Sequence, residues 1–287
     1  MRKDDLESKV AHLACWRGPV TLAPLEGGLT NLSYLADDGR EKFVVRCGAD
    51  IPVHHVFRDR ERAASVAAFE AGLSPEIVHT EPGIMVLRFI EGRTFGEADL
   101  APNAGRIVAL LKTCHAEVGR RVRGAANAFW VFHVVRDYVR LIDADQKYLA
   151  LADELERAQV PLPQVFGHHD LLPANLIDDG KRLWLIDWEY GAFGTAMFDL
   201  ANLSTNGAFG AAEDTALLDS YFDGKVPPEL RRAFDAMKAA SILREVLWAM
   251  VSDVHLKKPG VDYKAYAQQY LRRFEELMAG GLYSAVA

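Results

Sequence analysis

Cysteine, long apolar runs and excess positive charge are all scarce in this chain of 287 residues. Its three cysteines, Cys15, Cys47 and Cys114, are odd in number and lack C-x-x-C spacing, which favours reduced thiols and gives no zinc motif. No apolar run approaches the ~20 residues that a membrane helix needs, and the N-terminus, MRKDDLESKV, is too charged for a signal peptide. A net charge of -7 argues against a surface that follows nucleic-acid phosphates. We therefore expect a cytoplasmic protein with no membrane insertion and no nucleic-acid partner.

The stretch 166–177, FGHHDLLPANLI, contains the spacing H-x-D-L-x-x-x-N of a kinase catalytic loop, beginning at His168. Asp187 follows shortly afterwards, at the end of an apolar run. Phosphoryl transfer requires one carboxylate to accept the proton of the attacking hydroxyl, and an amide and a second carboxylate to hold Mg²⁺. This pattern predicts that Asp170 is the catalytic base and that Asn175 and Asp187 are the metal ligands. The alternative is an ordinary turn with Asn-capped ends.

The pattern of apolar residues changes along the chain. Before the catalytic motif, period-two alternation and turn signals predict five strands and one amphipathic helix ahead of them. After a hinge at Glu91-Gly92, helical spacing predominates, with helices expected over 102–118, 129–145, 147–158 and 229–253. The expected fold is α+β, with an antiparallel-sheet, nucleotide-binding lobe over 1–91 and a mainly helical lobe over 92–287. A cofactor would then lie in the cleft between the lobes.

Residues of the first lobe are candidates for binding a nucleotide. The loop 26–31, EGGLTN, lies between two predicted strands, where glycines let backbone N–H groups approach a phosphate. Arg46 ends the third strand, where it could contact a phosphate bidentately, and Glu61 on the next helix could orient it. The alternatives are an ordinary hairpin turn and a solvated charged helix end. The expected nucleotide-binding residues are Gly27, Gly28, Thr30, Asn31, Arg46 and Glu61.

The second-lobe motifs resemble one known family. FGHHDLLPANLI and the following LIDWEYGAFGTAMFDLAN (185–202) are similar to the choline/ethanolamine kinase family, a branch of the aminoglycoside-phosphotransferase-like kinases. EGGLTN and FVVRCG (43–48) in the first lobe are similar as well, and Arg is common in that family where Arg46 stands. The resemblance covers roughly residues 20–255. It implies a protein-kinase-like bilobal fold, with ATP and Mg²⁺ as cofactors.

The resemblance also implies roles for residues around the catalytic loop. His168 would support the loop through hydrogen bonds, with Asp199 as a partner in that network. A catalytic role for His168 or His169 is the less favoured reading. A zinc site at the histidines is less favoured still, since no further ligands follow at suitable spacing.

An acceptor site is implied by three further residues. The family holds a cationic head group with the tyrosine after the metal aspartate and with tryptophans of a late helix, which correspond to Tyr190 and Trp248. Glu245 could supply a negative charge, although the better-known choline kinases have a second Trp near that position. The alternative is that Trp248 is a core residue of an amphipathic helix.

The sequence thus predicts an ATP-dependent phosphotransferase that phosphorylates the hydroxyl of a small cationic amino alcohol such as choline or ethanolamine. One alternative is an aminoglycoside kinase or another small-alcohol kinase on the same scaffold. A second, from another class, is a catalytically weak nucleotide-binding regulator, a pseudokinase. The sequence leaves the oligomeric state open, a homodimer included.

Overall fold

The structure, a computed structural model, describes residues 3–25 and 31–280. The first lobe is built around a sheet whose strands alternate buried and half-buried residues, as in Leu32–Asp37 and Lys42–Cys47. Its elements in chain order are α1 (Lys3–Ala11), β1 (Thr21–Leu25), β2 (Leu32–Asp37), β3 (Lys42–Cys47), α2 (Arg58–Glu70), β4 (Ile77–Glu81) and β5 (Ile84–Arg88). The five strands and the two helices lie where the sequence predicted them, with ends that differ by a few residues.

The five strands form one antiparallel sheet in the order β1-β2-β3-β5-β4. The central strand β3 pairs with β2 through Tyr34↔Val45 and with β5 through Val45↔Val86. These three side chains are buried together with Leu6 and Val10 of α1, so that one face of the sheet forms a small core. Arg46 follows Val45 and therefore points to the opposite face, toward the second lobe.

Over its described residues, 92–280, the second lobe is mainly helical and also contains five short strands. Its elements are β6 (Arg93–Thr94), α3 (Glu97–Leu100), α4 (Ala104–Glu117), α5 (Val131–Leu141), α6 (Lys147–Arg157), β7 (Gln164–Gly167), β8 (Leu176–Asp178), β9 (Leu183–Leu185), β10 (Ala192–Thr195), α7 (Ala196–Asn206), α8 (Ala211–Phe222), α9 (Pro228–His255) and α10 (Tyr263–Ala279). The short strands pair as β10-β7 and β6-β8-β9. They were not assigned from the sequence, because strands of two to four residues contain too few positions for a period to register.

Helix α9 is the centre of the second lobe. Every residue from Ala236 to Ala249 is buried, which is typical of a helix enclosed on all sides. It packs against α5, α7 and α10, and it therefore fixes α7 and the strands that precede it. Within the described residues, no helix is both long and apolar enough to cross a membrane.

Candidate functional site

The catalytic-loop motif lies in the connection between β7 and β8. His168 is fully buried, its Nε2–H donates to the carbonyl oxygen of Ile186 at 2.9 Å, and its Nδ1 accepts the backbone N–H of Asp170 at 3.3 Å. Burial lowers the pKa of His168, so the ring is neutral and joins the loop to the segment that leads to Asp187. Because both ring nitrogens take part in hydrogen bonds, these contacts support the structural role expected for His168.

Asp199, in the first turn of α7, holds the same loop from the other side. Its Oδ2 accepts the backbone N–H of His168 at 2.9 Å, and its Oδ1 accepts that of His169 at 2.7 Å. The ring of His115 donates to Oδ2 at 2.9 Å. Burial alone would raise the pKa of this carboxyl, but the hydrogen bond from His115 and the neighbouring histidines outweigh it and lower that pKa. His169 has a positive φ of 63°, and the two amide bonds to Asp199 fix that turn.

Asp170 is the carboxylate that this loop presents. Its side chain is 13% exposed, and it lies beside Asn175, whose Nδ2 donates to the Asp170 carbonyl at 2.8 Å and to Oδ2 at 3.3 Å. Burial raises the pKa of Asp170 well above its usual range, although Arg244 lowers it in part. Glu245 and two further carboxylates raise it again. A carboxylate with a raised pKa is the stronger proton acceptor, as a general base requires.

Asn175 and Asp187 are brought together by the backbone. The N–H of Ile186 donates to the carbonyl of Asn175 at 3.0 Å, and Asp187 follows directly with a positive φ of 68°. Asn175 uses its amide N–H₂ on Asp170, which leaves its Oδ1 to accept or coordinate. An amide oxygen and a carboxylate are hard ligands of the kind that Mg²⁺ prefers, with phosphate oxygens and water completing the shell. Across the described residues, no group of three or more His, Cys, Asp and Glu side chains could hold a metal without other ligands. Asn175 and Asp187 therefore fit a metal that is also bound by phosphate oxygens and water.

Arg46 reaches from β3 into the second lobe. Its Nη2 lies 2.6 Å from Asp187 Oδ1, 3.1 Å from Glu61 Oε1 and 4.0 Å from Glu189 Oε2. Burial alone would lower the pKa of Arg46, but these three carboxylates raise it above its usual value. The pairing of Arg46 with Glu61 agrees with the sequence analysis, whereas the direct bond to the candidate metal ligand Asp187 was not anticipated.

Two charged residues of this cluster were missed. Arg58 at the start of α2 bonds through Nη1 to Glu61 Oε2 at 2.5 Å and to Glu189 Oε2 at 3.3 Å. Burial and the charge of Asp187 raise the pKa of Glu189 to about 7. The signals were present in the sequence: Glu189 stands in the D-W-E-Y run, and Arg58 begins a charged stretch whose alternative reading was a solvated surface. Only folding places Glu189 beside α2.

Two cavities lined by described residues flank Arg46. A narrow one of about 90 Å³ lies between the lobes and is mainly apolar; its lining includes Val44, Leu87, Phe89, Ile177 and Ile186. A wider one of about 370 Å³ lies under the first-lobe sheet; its lining includes Asn31, Gly48, Arg58, Glu61 and Arg62. The apolar lining of the first suits a flat aromatic base, and the guanidinium groups at the second suit phosphates. Among the predicted nucleotide-loop residues, Asn31 lines the wider cavity, while Gly27, Gly28 and Thr30 lie outside the described residues.

Tyr190, Trp248 and Glu245 lie together, but each has neighbours from the protein itself. Trp248 Nε1–H donates to Tyr190 Oη at 3.2 Å, and the Trp248 ring stacks on His54 with centroids 5.1 Å apart. Glu245 accepts the Tyr266 hydroxyl at 3.1 Å and forms an ion pair with Arg244. Trp248 is only 6% exposed, as the core alternative expects. The three residues expected to form the cage therefore lie together, but other side chains of the protein already cover much of their aromatic surface.

Arg244 was not singled out from the sequence. Its guanidinium carbon lies 4.4 Å from the ring centroid of Tyr190, in the position that a cationic head group would occupy in the expected cage. The signal available was a charged pair, Arg244-Glu245, inside an otherwise apolar helix.

Comparison with known proteins shows the family of this chain. A family model described as "Phosphotransferase enzyme family" (APH) matches residues 21–237. The protein LicA of Haemophilus influenzae is 24% identical over 264 residues, covering 85% of this chain and 76% of its own. A protein of Arabidopsis thaliana named "Probable ethanolamine kinase" is 27% identical over 271 residues, covering 79% and 71% of the two chains.

Solved structures have the same fold. A choline/ethanolamine kinase family protein from Mesorhizobium loti is 29% identical with a TM-score of 0.78, covering 97% of this chain and 95% of that one. An aminoglycoside 2'-phosphotransferase-IIIa in complex with GDP has a TM-score of 0.66 at 13% identity, a likeness of fold alone. The predicted fold and the resemblance to the choline/ethanolamine kinases are both confirmed. The chain therefore belongs to the phosphotransferase enzyme family, and it is a kinase.

Proposed function

We propose that this kinase transfers the γ-phosphoryl group of ATP to the hydroxyl of a small amino alcohol. The observation that carries the proposal is the convergence of Asp170, Asn175 and Asp187, which are close in the sequence, with Arg46 from the distant first lobe. Such a set provides a proton acceptor, two oxygen ligands for a metal and a cation for the phosphates. A fold alone could not carry this inference, because the same scaffold hosts different activities.

Asp170 is the proposed base. It is mostly buried and its pKa is raised, so it takes up a proton more readily than an exposed carboxylate does. The hydrogen bonds from Asn175 and the loop contacts of His168 and Asp199 hold it in place. Because that support comes from buried groups, the carboxylate is oriented before an acceptor arrives.

Asn175 and Asp187 are the proposed ligands of Mg²⁺, which when bound would offset the negative charge of the phosphates. Arg46 is the proposed phosphate contact and is held by Glu61, which Arg58 also contacts. In the structure described here Arg46 bonds to Asp187, so nucleotide binding would exchange that bond for one to a phosphate. Gly27, Gly28 and Thr30 remain proposed phosphate contacts on the sequence pattern, and the narrow cavity between the lobes is the proposed base site.

The boundary between the lobes is proposed at residues 91–92, after β5 and before β6. The acceptor class rests on the names of the relatives, which include an ethanolamine kinase, and on the carboxylates around Asp170. Choline and ethanolamine are therefore the first acceptors to test, and an aminoglycoside is the alternative. We also propose that the protein acts in the cytoplasm, since its three cysteines are unpaired thiols and the reaction consumes ATP.

A coupled ADP-release assay tests the proposal, with ethanolamine, choline and an aminoglycoside as acceptors in turn. We expect acceptor-dependent ADP release in the wild type and a loss of roughly 10²–10⁴-fold in turnover for Asp170→Asn, the range for a general base. Asp223→Asn is a matched control, because Asp223 is 78% exposed and pairs with Lys112 at the surface. Unchanged turnover in Asp170→Asn would contradict the assignment of the base. Nucleotide binding without turnover for any alcohol would favour the pseudokinase alternative.

A further inference from the structure

Arg244 is a buried cation beside the proposed base. It lies on α9 and is 2% exposed. Its Nη1 pairs with Glu245 and lies 4.0 Å from Asp170 Oδ1, while the guanidinium plane lies over the ring of Tyr190. The guanidinium is therefore placed where the acceptor of the proposed reaction would have to bind, within reach of Asp170.

Two donors of this guanidinium are unused. Among the residues that the structure describes, none accepts a hydrogen bond from Arg244 Nε or Nη2, although both nitrogens are buried. These two N–H groups form the side-on edge of the guanidinium fork, which matches two oxygens of a planar anion. Leaving buried, charged donors without acceptors is costly, and such a group is rarely retained without a partner. A carboxylate is the simplest ligand that would satisfy both donors at once.

The surrounding charges restrict what else that ligand carries. Glu245 and Asp170 both lie close to Arg244, and Asp187 and Glu189 also act on Asp170. A purely anionic acceptor would add a further negative charge to this group and would be repelled. An acceptor that carries an ammonium group as well as the carboxylate adds no net charge.

The position of Arg244 also disfavours a quaternary ammonium group. A trimethylammonium group binds best against aromatic faces, and one face of Tyr190 is covered by Arg244 at 4.4 Å. Trp248 is packed against His54 with ring centroids 5.1 Å apart. Little aromatic surface therefore remains for such a head group unless Arg244 moves away from Asp170 and Glu245.

We propose that the acceptor is a small hydroxy amino acid, whose carboxylate binds side-on to Arg244 and whose hydroxyl reaches Asp170. This rests on the proposed function and specifies its substrate class. The hydroxyl oxygen forms a bond to the γ-phosphorus as the bond to the β–γ bridging oxygen breaks, ADP leaves, and the hydroxyl proton passes to Asp170. Arg244 Nη1 lies 4.0 Å from Asp170 Oδ1, and the Nε/Nη2 edge belongs to the same compact guanidinium, so a small acceptor can contact both residues.

Direct binding of matched ligands tests this without requiring turnover. Isothermal titration of the full chain, saturated with ADP and Mg²⁺, compares L-serine with ethanolamine, which lacks only the carboxylate, and with choline. We expect serine to bind roughly tenfold or more tightly than ethanolamine, and choline to bind weakest. In Arg244→Met the advantage of serine should disappear. In Arg244→Lys, which keeps the charge but lacks the fork, most of that advantage should be lost while ethanolamine binding changes little.

Each result of these titrations either supports or overturns the assignment of Arg244. Equal binding of serine and ethanolamine by the wild type, tighter binding of choline, or a serine advantage that survives in both variants would overturn the assignment of Arg244. If Arg244→Met fails to fold by circular dichroism, the wild-type comparison and Arg244→Lys still give the answer. The proposed function fails separately, through absence of ADP release with every alcohol, including those that bind.

Discussion

Replacing Asp199 by asparagine tests how the catalytic loop is held. The substitution keeps the shape of the side chain and removes its charge. Asparagine has one oxygen, whereas the carboxylate accepts N–H groups on both oxygens: from His168 and His115 on Oδ2, and from His169 on Oδ1. If the side-chain oxygen of the asparagine accepts from His168 and His115, its N–H₂ group faces the backbone N–H of His169. Both the N–H₂ group and that N–H are then buried donors without an acceptor.

The magnitude follows from these contacts. Each of the two buried donors left without an acceptor costs about 1–3 kcal/mol, and each of the two retained hydrogen bonds loses about 1 kcal/mol when its acceptor is no longer charged. We therefore expect the free energy of unfolding to fall by about 4–8 kcal/mol in Asp199→Asn. Turnover should fall as well, because the bonds to His168 and His169 hold the turn that precedes Asp170.

The effect should depend on pH with a definite sign. Asp199 has a folded-state pKa below its usual 3.8, so its carboxylate stabilises the protein above that value and the contribution is lost as pH falls below it. The difference between wild type and Asp199→Asn should therefore be largest near neutral pH and should shrink on acidification. Urea denaturation at several pH values measures it, with Asp223→Asn as the exposed control, expected to change stability by less than about 0.5 kcal/mol. A free energy of unfolding for Asp199→Asn equal to that of the control at neutral pH would refute the reasoning.

Three further substitutions test the proposed site. Asp187→Ala should reduce turnover by roughly 10³-fold or more while nucleotide still binds weakly, and retained turnover at saturating Mg²⁺ would show that Asp187 is not a metal ligand. Arg46→Lys should raise the Michaelis constant for ATP, since a point charge cannot replace a bidentate contact, and an unchanged constant would assign Arg46 a structural role. Trp248→Leu should lower the melting temperature, at a cost of about 2–4 kcal/mol from lost packing, because the ring contacts His54, Tyr263 and Tyr266. Weaker acceptor binding at unchanged stability would instead return Trp248 to the proposed acceptor cage.

The sequence by itself determined the organisation of the chain and the identity of the loop. Alternating strands such as 43–46 and helical spacing such as 229–253 predict elements because each periodicity is local, and a buried face repeats every 2 or every 3.6 residues. The spacing of Asp170 and Asn175 was equally informative, because both lie on one short connection whose length fixes how near they can be.

Only the tertiary structure decided which charges meet. Arg46, Arg58, Glu61, Asp187 and Glu189 come from three separate parts of the chain, and no local pattern distinguishes a buried ion pair from a solvated charge. No local pattern around Glu245 indicates that the neighbouring Arg244 faces Tyr190 and Asp170. Its importance comes from the packing of α9, which lays a guanidinium over Tyr190 and 4.0 Å from Asp170. Burial and partner identity are properties of the packed chain, and they decide whether a charged side chain is a surface group or a binding group.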